Sequence, residues 1–342
     1  MISKESEKIQ IEYSAEPDVN ENNILNADPG LLSILLRDHT TEKNILWMTD
    51  NYLVLGNEYS ENAEITIPLI TGDNSNVIKP RTDKTRKEQL HRIRDKAEVF
   101  TPSWVCNRQN NLVDYAWFGK QNVFNTEKKK RWFATKEKIA FPMETKKKSW
   151  RDYILAPRIE ISCGEAPYLV SRYDTTTGKV IALENRIGLL DRKLRVITEN
   201  TVRADQWKFW SKKAIQNIYG YEWQGDNLLL ARENIILTYI DYFKERFRGE
   251  YPPIELLREI AEIVSWNIWQ MDGIKFVVPG SCHEECVFEK DLFEERFIKK
   301  PCEGCRTGNM LKHNGRYCLI KDWAKNEIIT AISLMGGDDG KV

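Results

Sequence analysis

The run Ile218-Tyr219-Gly220-Tyr221-Glu222, followed by Trp223-Gln224-Gly225-Asp226 and a long apolar-rich stretch, constrains this chain more than any other segment. An apolar run that ends on a carboxylate and leads into an amphipathic helix is the pattern of a parallel β–α unit. In nucleoside-binding α/β folds, the carboxylate at such a strand end meets a ribose hydroxyl. The helix is strongly patterned, because Leu229, Ile236, Ile240, Phe243 and Phe247 recur at steps of three, four and seven. Asp226 is the expected N-cap.

Three other pieces share this logic. Arg158-Ile159-Glu160-Ile161-Ser162-Cys163-Gly164-Glu165 reads as a short strand and a glycine turn, which lets backbone approach a ligand closely. Earlier lies Lys96-Ala97-Glu98-Val99-Phe100-Thr101-Pro102-Ser103-Trp104. Later, Trp266-Asn267-Ile268-Trp269-Gln270-Met271-Asp272 reads as a further strand ending on a carboxylate.

The order Phe-Thr-Pro, Cys-Gly, Tyr-Gly-Tyr-Glu resembles the amino-terminal half of S-adenosylmethionine-dependent adenine-N6 DNA methyltransferases, in particular the modification (M) subunits of restriction systems. The likeness covers roughly residues 95–280. It implies that Phe100, Thr101 and Pro102 pack on S-adenosylmethionine. It also implies that Glu160, Cys163 and Gly164 form the turn beneath the cofactor's methionine part, that Glu222 holds the ribose, and that Asp272 sits near its adenine. It implies DNA as the partner, with room for a specificity or restriction subunit. Asp272 is also the candidate catalytic residue, acting on an adenine turned out of the duplex. Two departures stand out. Glu165-Ala166-Pro167 follows Gly164 where the family has more glycine, and Pro167 has no N–H to offer. The family's catalytic tetrapeptide (Asn or Asp, Pro, Pro, aromatic) is missing after Asp272. The sequence has one Pro-Pro pair, in Tyr251-Pro252-Pro253-Ile254, and it reads as the opening of a helix over 254–263.

The formal net charge is zero, so composition offers no global argument for nucleic acid. The distribution says more. Eight Lys or Arg residues fall between Lys79 and Lys96, among them Arg86, Lys87, Arg92 and Arg94. A second cluster, Lys128-Lys129-Lys130-Arg131-Trp132-Phe133, places cations beside aromatic rings, a pattern suited to phosphates and stackable bases. The alternative for both is a solvated charged face.

Of seven cysteines, Cys282, Cys286, Cys302, Cys305 and Cys318 lie close together near the end of the sequence. Two close pairs, Cys282-x3-Cys286 and Cys302-x2-Cys305, predict a structural four-thiolate Zn²⁺ site. Alternative ligand sets exchange Cys282 for Cys318 or His313. Cys106 and Cys163 stand apart.

With 342 residues, 30% charged and 41% apolar, the chain is expected to be globular. No apolar run approaches membrane-spanning length and Met1–Lys8 is unlike a signal peptide, which predicts a cytoplasmic protein without membrane partners. The expected fold class is α/β: a Rossmann-like methyltransferase core with an N-terminal α+β extension and a C-terminal zinc-binding segment. The expected divisions are 1–95 (a polar tail over 1–28, then a small region ending in a basic helix over 82–96), 96–278 and 279–342. Strands are expected over 45–55 and 65–70, and a hairpin around 173–183. Residues 107–150 show no clear periodicity and read as an insertion. Three functions remain open: an active methyltransferase, a catalytically silent cofactor- or DNA-binding subunit, and a zinc-stapled interaction protein.

Overall fold

This computed structural model describes residues 11, 20–96, 101–142, 148–290 and 295–335. Most of the expected polar tail, and Phe100, therefore lie outside the described residues.

The chain is mixed α/β with small sheets. Helices α1 (Glu21–Ala27) and α2 (Pro29–Leu36) come first; Asp28 caps α2 by accepting from the Gly30 and Leu31 amides. The basic helix α3 (Arg86–Lys96) and the long α4 (Ser103–Phe118) follow. An antiparallel hairpin joins β1 (Asn125–Lys128) to β2 (Arg131–Ala134). Then come α5 (Trp150–Leu155), β3 (Arg158–Ile161), α6 (Leu189–Asn200), α7 (Ala204–Ile215) and β4 (Ile218–Glu222). Helices α8 (Gly225–Arg246) and α9 (Ile254–Asn267) lead to β5 (Ile268–Gln270).

Strands β3, β4 and β5 form one parallel sheet in chain order. Glu160 stands opposite Gly220, and Glu222 opposite Gln270. Each connection is helical, as a parallel crossover requires. Helix α8 is buried at every residue from Gly225 to Ile240, so it is a core helix and not a half-exposed one. Its start cannot carry a side chain, because a Cβ on Gly225 would lie 2.1 Å from the Leu46 carbonyl oxygen. Pro253 caps α9, so the Pro-Pro pair does open a helix, which continues to Asn267.

Arg232 lies fully inside and donates to the carbonyls of Leu35, Arg37, Ser265 and Ile268. Those carbonyls belong to the ends of α2 and α9, where the helix dipole favours a cation. One apolar core runs from Ile24 and Leu31 through Leu190 and Leu229 to Ile268, so the expected boundary at residue 95 is not marked by a separate core. A smaller cluster (Trp269, Met271, Val278, Cys318, Ile320 and Ala331) ties the C-terminal segment to the sheet. That segment holds β6 (Glu285–Lys290), β7 (Glu295–Lys300), the short α10 (Glu303–Thr307), β8 (Leu319–Asp322) and β9 (Glu327–Thr330).

Several sequence expectations are corrected. Residues 45–55 and 65–70 do not form long strands. They reduce to a single Leu46–Glu64 bridge, a 3₁₀ turn at Leu53–Leu55 and a helical turn at Ile67–Ile70. Met48 has φ 49°, which ends extended pairing, and the Gln270 side chain instead takes up both the Leu46 N–H and C=O. Asp226 is not the N-cap of α8, a position held by Gln224. Residues 107–150, which show no clear periodicity in sequence, hold most of α4 and the β1–β2 hairpin. No helix among the described residues is long and apolar enough to cross a membrane.

Candidate functional sites at the strand ends and the cysteine cluster

The carboxyl ends of β3 and β4 converge. Beyond β3 the chain turns through Ser162 (φ 48°), Gly164 (φ 53°) and Ala166 (φ 62°), three left-handed residues in five. Gly164 donates its N–H to Glu222 Oε2 at 2.8 Å, and the Gln224 N–H reaches Oε1 at 3.2 Å. The Cys163 amide bonds the Tyr221 carbonyl at 2.9 Å, and its sulfur sits against Gly220, where a Cβ would lie 3.3 Å from it. Glu160 accepts from the Tyr168 and Leu169 amides at 3.3 and 3.1 Å. Burial pushes the Glu160 carboxyl up to about 8, against those two N–H bonds. Glu165 pins the turn from outside, accepting from the Arg81 amide and the Tyr173 hydroxyl.

Thr101 accepts from the Thr175 hydroxyl at 3.2 Å, and Pro102 caps α4. The Thr101 side chain also interacts with Tyr168, which neighbours Glu160. The structure therefore brings Thr101, Glu160, Cys163, Gly164 and Glu222 into one region. Asp272 follows β5, whose Gln270 pairs with Glu222. Its Oδ1 accepts from the Ile274 and Lys275 amides at 3.0 and 3.1 Å, and Lys275 Nζ lies 3.4 Å from Oδ2. Asp272 thus closes its own tight turn.

The second site is a cluster of Cys282, Cys302, Cys305 and His313, whose ligand atoms all lie within 4.8 Å of one another. His313 Nδ1 is 3.6 Å from the Cys282 and Cys302 sulfurs and 3.7 Å from that of Cys305. A tetrahedral ion bonded to sulfur and nitrogen at usual zinc lengths has edges of roughly 3.5–3.8 Å, so the spacing suits one such ion. Local sequence produces it. Cys302 caps α10 and accepts from the Cys305 amide at 3.3 Å. Gly304 must be glycine, because a Cβ there would strike the His313 ring at 2.6 Å. Gly315 likewise admits the Cys282 backbone, its Cβ position lying 3.0 Å from that amide nitrogen.

Burial disfavours the Cys302 thiolate, but amides of Asn314 and Cys305 together with His313 outweigh it and bring the thiol down to about 6. Cys282 is pushed up to about 12 by burial and by the Cys305 and Cys302 sulfurs. Three packed thiols cannot all ionise unless a cation joins them, which is the chemistry of a metal-binding set. The group could hold one metal ion and is compatible with structural zinc.

The ligand set differs from the expected one at one position. Cys286 lies on β6, exposed and opposite Lys299, outside the cluster; His313 takes its place. Cys318 is buried, with its thiol on the Gln270 carbonyl. The sequence offers His313 as an alternative ligand, but in exchange for Cys282 and not for Cys286.

Among the expected DNA contacts, Arg86, Lys87, Arg94, Lys129 and Lys130 are exposed. Lys130 and Arg108 both lie 5.3 Å from the Trp104 ring. Arg92 is different. It is 3% exposed, and it donates to Asp226 Oδ2 at 2.7 Å and to Gln224. Its guanidinium serves the fold and is not presented to a phosphate. No family model matches the chain, and no curated protein or solved structure shows significant similarity to it.

Proposed function

We propose that this chain binds S-adenosylmethionine at the carboxyl ends of a Rossmann-like sheet and belongs to the working parts of an adenine-N6 DNA methylation system, with a Zn²⁺ ion stapling its C-terminal segment. One observation carries the reading: the Gly164 amide and the Glu222 carboxylate meet at 2.8 Å at the ends of adjacent parallel strands. Ligands in open α/β sheets bind beyond the carboxyl ends of the strands, where a glycine turn admits the ligand and an acidic residue meets its ribose. Thr101 interacts with Tyr168, whose amide bonds Glu160, which supports a role for the Thr101-Pro102 segment against the cofactor of the kind the resemblance to DNA methyltransferases implies. The exposed cations of α3 and of the β1–β2 turn would track the phosphate backbone. Arg92 is withdrawn from that role, leaving Arg86, Lys87, Arg94, Lys129 and Lys130.

In the zinc centre, Cys282, Cys302, Cys305 and His313 would complete the coordination. Four protein ligands leave no position for water, so the ion's contribution is mechanical. A second reading, a cofactor-binding subunit that does not transfer methyl groups, is favoured by the state of Asp272. Its carboxylate is engaged by its own turn and by Lys275, and the one Pro-Pro pair opens α9.

Incubation with methyl-labelled S-adenosylmethionine and mixed-sequence duplex DNA separates the two. Label in DNA adenine supports the active enzyme. Cofactor binding with no label, at any salt concentration that still permits DNA binding, leaves the silent subunit.

A further inference from the structure

The β1–β2 hairpin has two unlike faces. Its register pairs Asn125 with Ala134, Thr126 with Phe133, Glu127 with Trp132 and Lys128 with Arg131. Alternation along each strand therefore puts Asn125, Glu127, Trp132 and Ala134 on one face and Thr126, Lys128, Arg131 and Phe133 on the other. The first face is anchored. Asn125 and Asn107 of α4 exchange side-chain hydrogen bonds at 2.7 and 3.0 Å, and Asn111 donates to Glu127 at 2.7 Å. The Trp132 indole N–H donates to the Asn185 carbonyl at 2.8 Å. Arg195 of α6 holds the chain just beyond β2, donating to the Thr135 carbonyl at 2.6 Å. The second face is exposed at all four positions. A free face on a firmly held base is what a recognition element needs.

The tip and the free face also carry a cost that the described residues do not offset. Lys128, Lys129, Lys130 and Arg131 crowd a two-residue turn, and none of them has an ion-pair partner among the described residues. The neighbouring carboxylate, Glu127, is engaged by Asn111 and lies 3.5 Å from Arg108 instead. Lys128 and Arg131 stand directly opposite each other, and like charges so placed destabilise a ribbon on its own. Lys129 has φ 59°, a left-handed conformation that a β-carbon disfavours. A polyanion turns this repulsion into attraction, and a neutral or cationic partner does not.

Shape narrows the polyanion. The major groove of B-DNA, about 12 Å wide, admits a two-stranded β-ribbon. The free face holds the side chains that this groove accepts. Arg131 and Lys128 can donate to O6 and N7 of guanine, while the Thr126 methyl and the Phe133 ring, 58% exposed, suit the methyl group of thymine. We propose that the β1–β2 ribbon enters the major groove of duplex DNA and reads base edges through Thr126, Lys128, Arg131 and Phe133. This rests on the proposed DNA partner and goes beyond the phosphate contacts assigned there, which α3 would retain.

Selection of the full chain against a randomised duplex library, followed by titration of the enriched duplex and a scrambled one, tests it. The parent is expected to prefer the enriched duplex by about tenfold or more, through a motif that contains guanine. Arg131→Ala is expected to lose most of that preference, weakening the enriched duplex about tenfold and the scrambled one much less, with the thermal melt unchanged. Replacing the motif's guanine with 7-deazaguanine, which lacks the N7 acceptor of the major groove, should weaken the parent and add little to Arg131→Ala. Lys87→Ala on α3 should weaken both duplexes alike and leave their ratio unchanged. Duplex binding without sequence preference, or a preference that survives Arg131→Ala, would overturn the proposal while leaving DNA as the partner. Binding of no duplex even at low salt would overturn both.

Discussion

Replacing Cys302 with serine is expected to remove bound metal altogether and to unfold the C-terminal segment. Cys302 is 1% exposed, caps α10 and stands 3.6 Å from His313 Nδ1. Binding of structural zinc to thiolate and imidazole sets is worth about 10–16 kcal/mol in small domains, and that energy is folding energy. Among the described residues the buried apolar cluster beneath this segment is small (Trp269, Met271, Val278, Cys318, Ile320 and Ala331, with Tyr219, Tyr221, Phe276 and Ile329 packed against it), so the ion is expected to carry much of the segment's stability. Metal analysis should fall from about one zinc per chain to none, and limited proteolysis should open the stretch between Cys282 and Cys318. His313→Ala should behave the same way. Cys286→Ser should keep its metal, because Cys286 stands on β6 outside the cluster. Loss of metal from Cys286→Ser and retention in His313→Ala would return the site to the four-thiolate set that spacing suggests.

The second large effect is expected at Asp226. Its carboxylate is fully buried and accepts from Arg92 at 2.7 Å, Tyr52 at 2.8 Å and Lys84 at 3.3 Å. Asp226→Ala leaves two buried cations without their counter-charge, which costs about 3–5 kcal/mol. Burial alone would raise this carboxyl, but Arg92 and Lys84 outweigh it and hold it far below the usual range. A depressed folded pKa means that the unfolded chain binds the proton first. The stabilisation is therefore full above the unfolded carboxylate pKa, about 3.9, and declines as pH falls towards the folded value. Asp226→Asn does not titrate. Its deficit relative to the parent, measured by urea unfolding, should be constant near neutrality and shrink below about pH 4. A deficit that does not change in acid would show that the carboxylate's charge is not what matters there.

Much of the sheet was legible because its signals are local. Strand β4 and helix α8 follow from an apolar run and from apolar recurrence at helical spacing, and both stand where expected. Helix α4 was illegible for a physical reason. Its inward face is polar: Asn107, Asn110 and Asp114 are buried, and Asn107 and Asp114 surround Arg192. A helix that buries amides and a carboxylate leaves no hydrophobic stripe to read. Arg92 and Asp226 misled in the same way, since each looks like a solvent-facing charge until the other is placed against it. At the cysteine cluster, the Cys302-x2-Cys305 turn was visible because it is local. The choice between Cys286 and His313 was not, because it depends on β6 pairing with β7 and on Gly304 and Gly315 letting distant backbone approach. The turn at Cys163–Gly164 and its meeting with Glu222 were expected as neighbours at strand ends. Sequence could not show that Glu222 would bond the Gly164 amide itself.

The functional account rests on that meeting, and titration of S-adenosylmethionine into the full chain by calorimetry tests it most directly. The account predicts one binding event per chain, weakened roughly tenfold, or about 1.4 kcal/mol, by Glu222→Gln, which keeps an acceptor for the Gly164 amide but loses the charge. Absence of binding heat across a range of temperatures, or parent and variant binding alike, would contradict the assignment of the strand ends as a cofactor site.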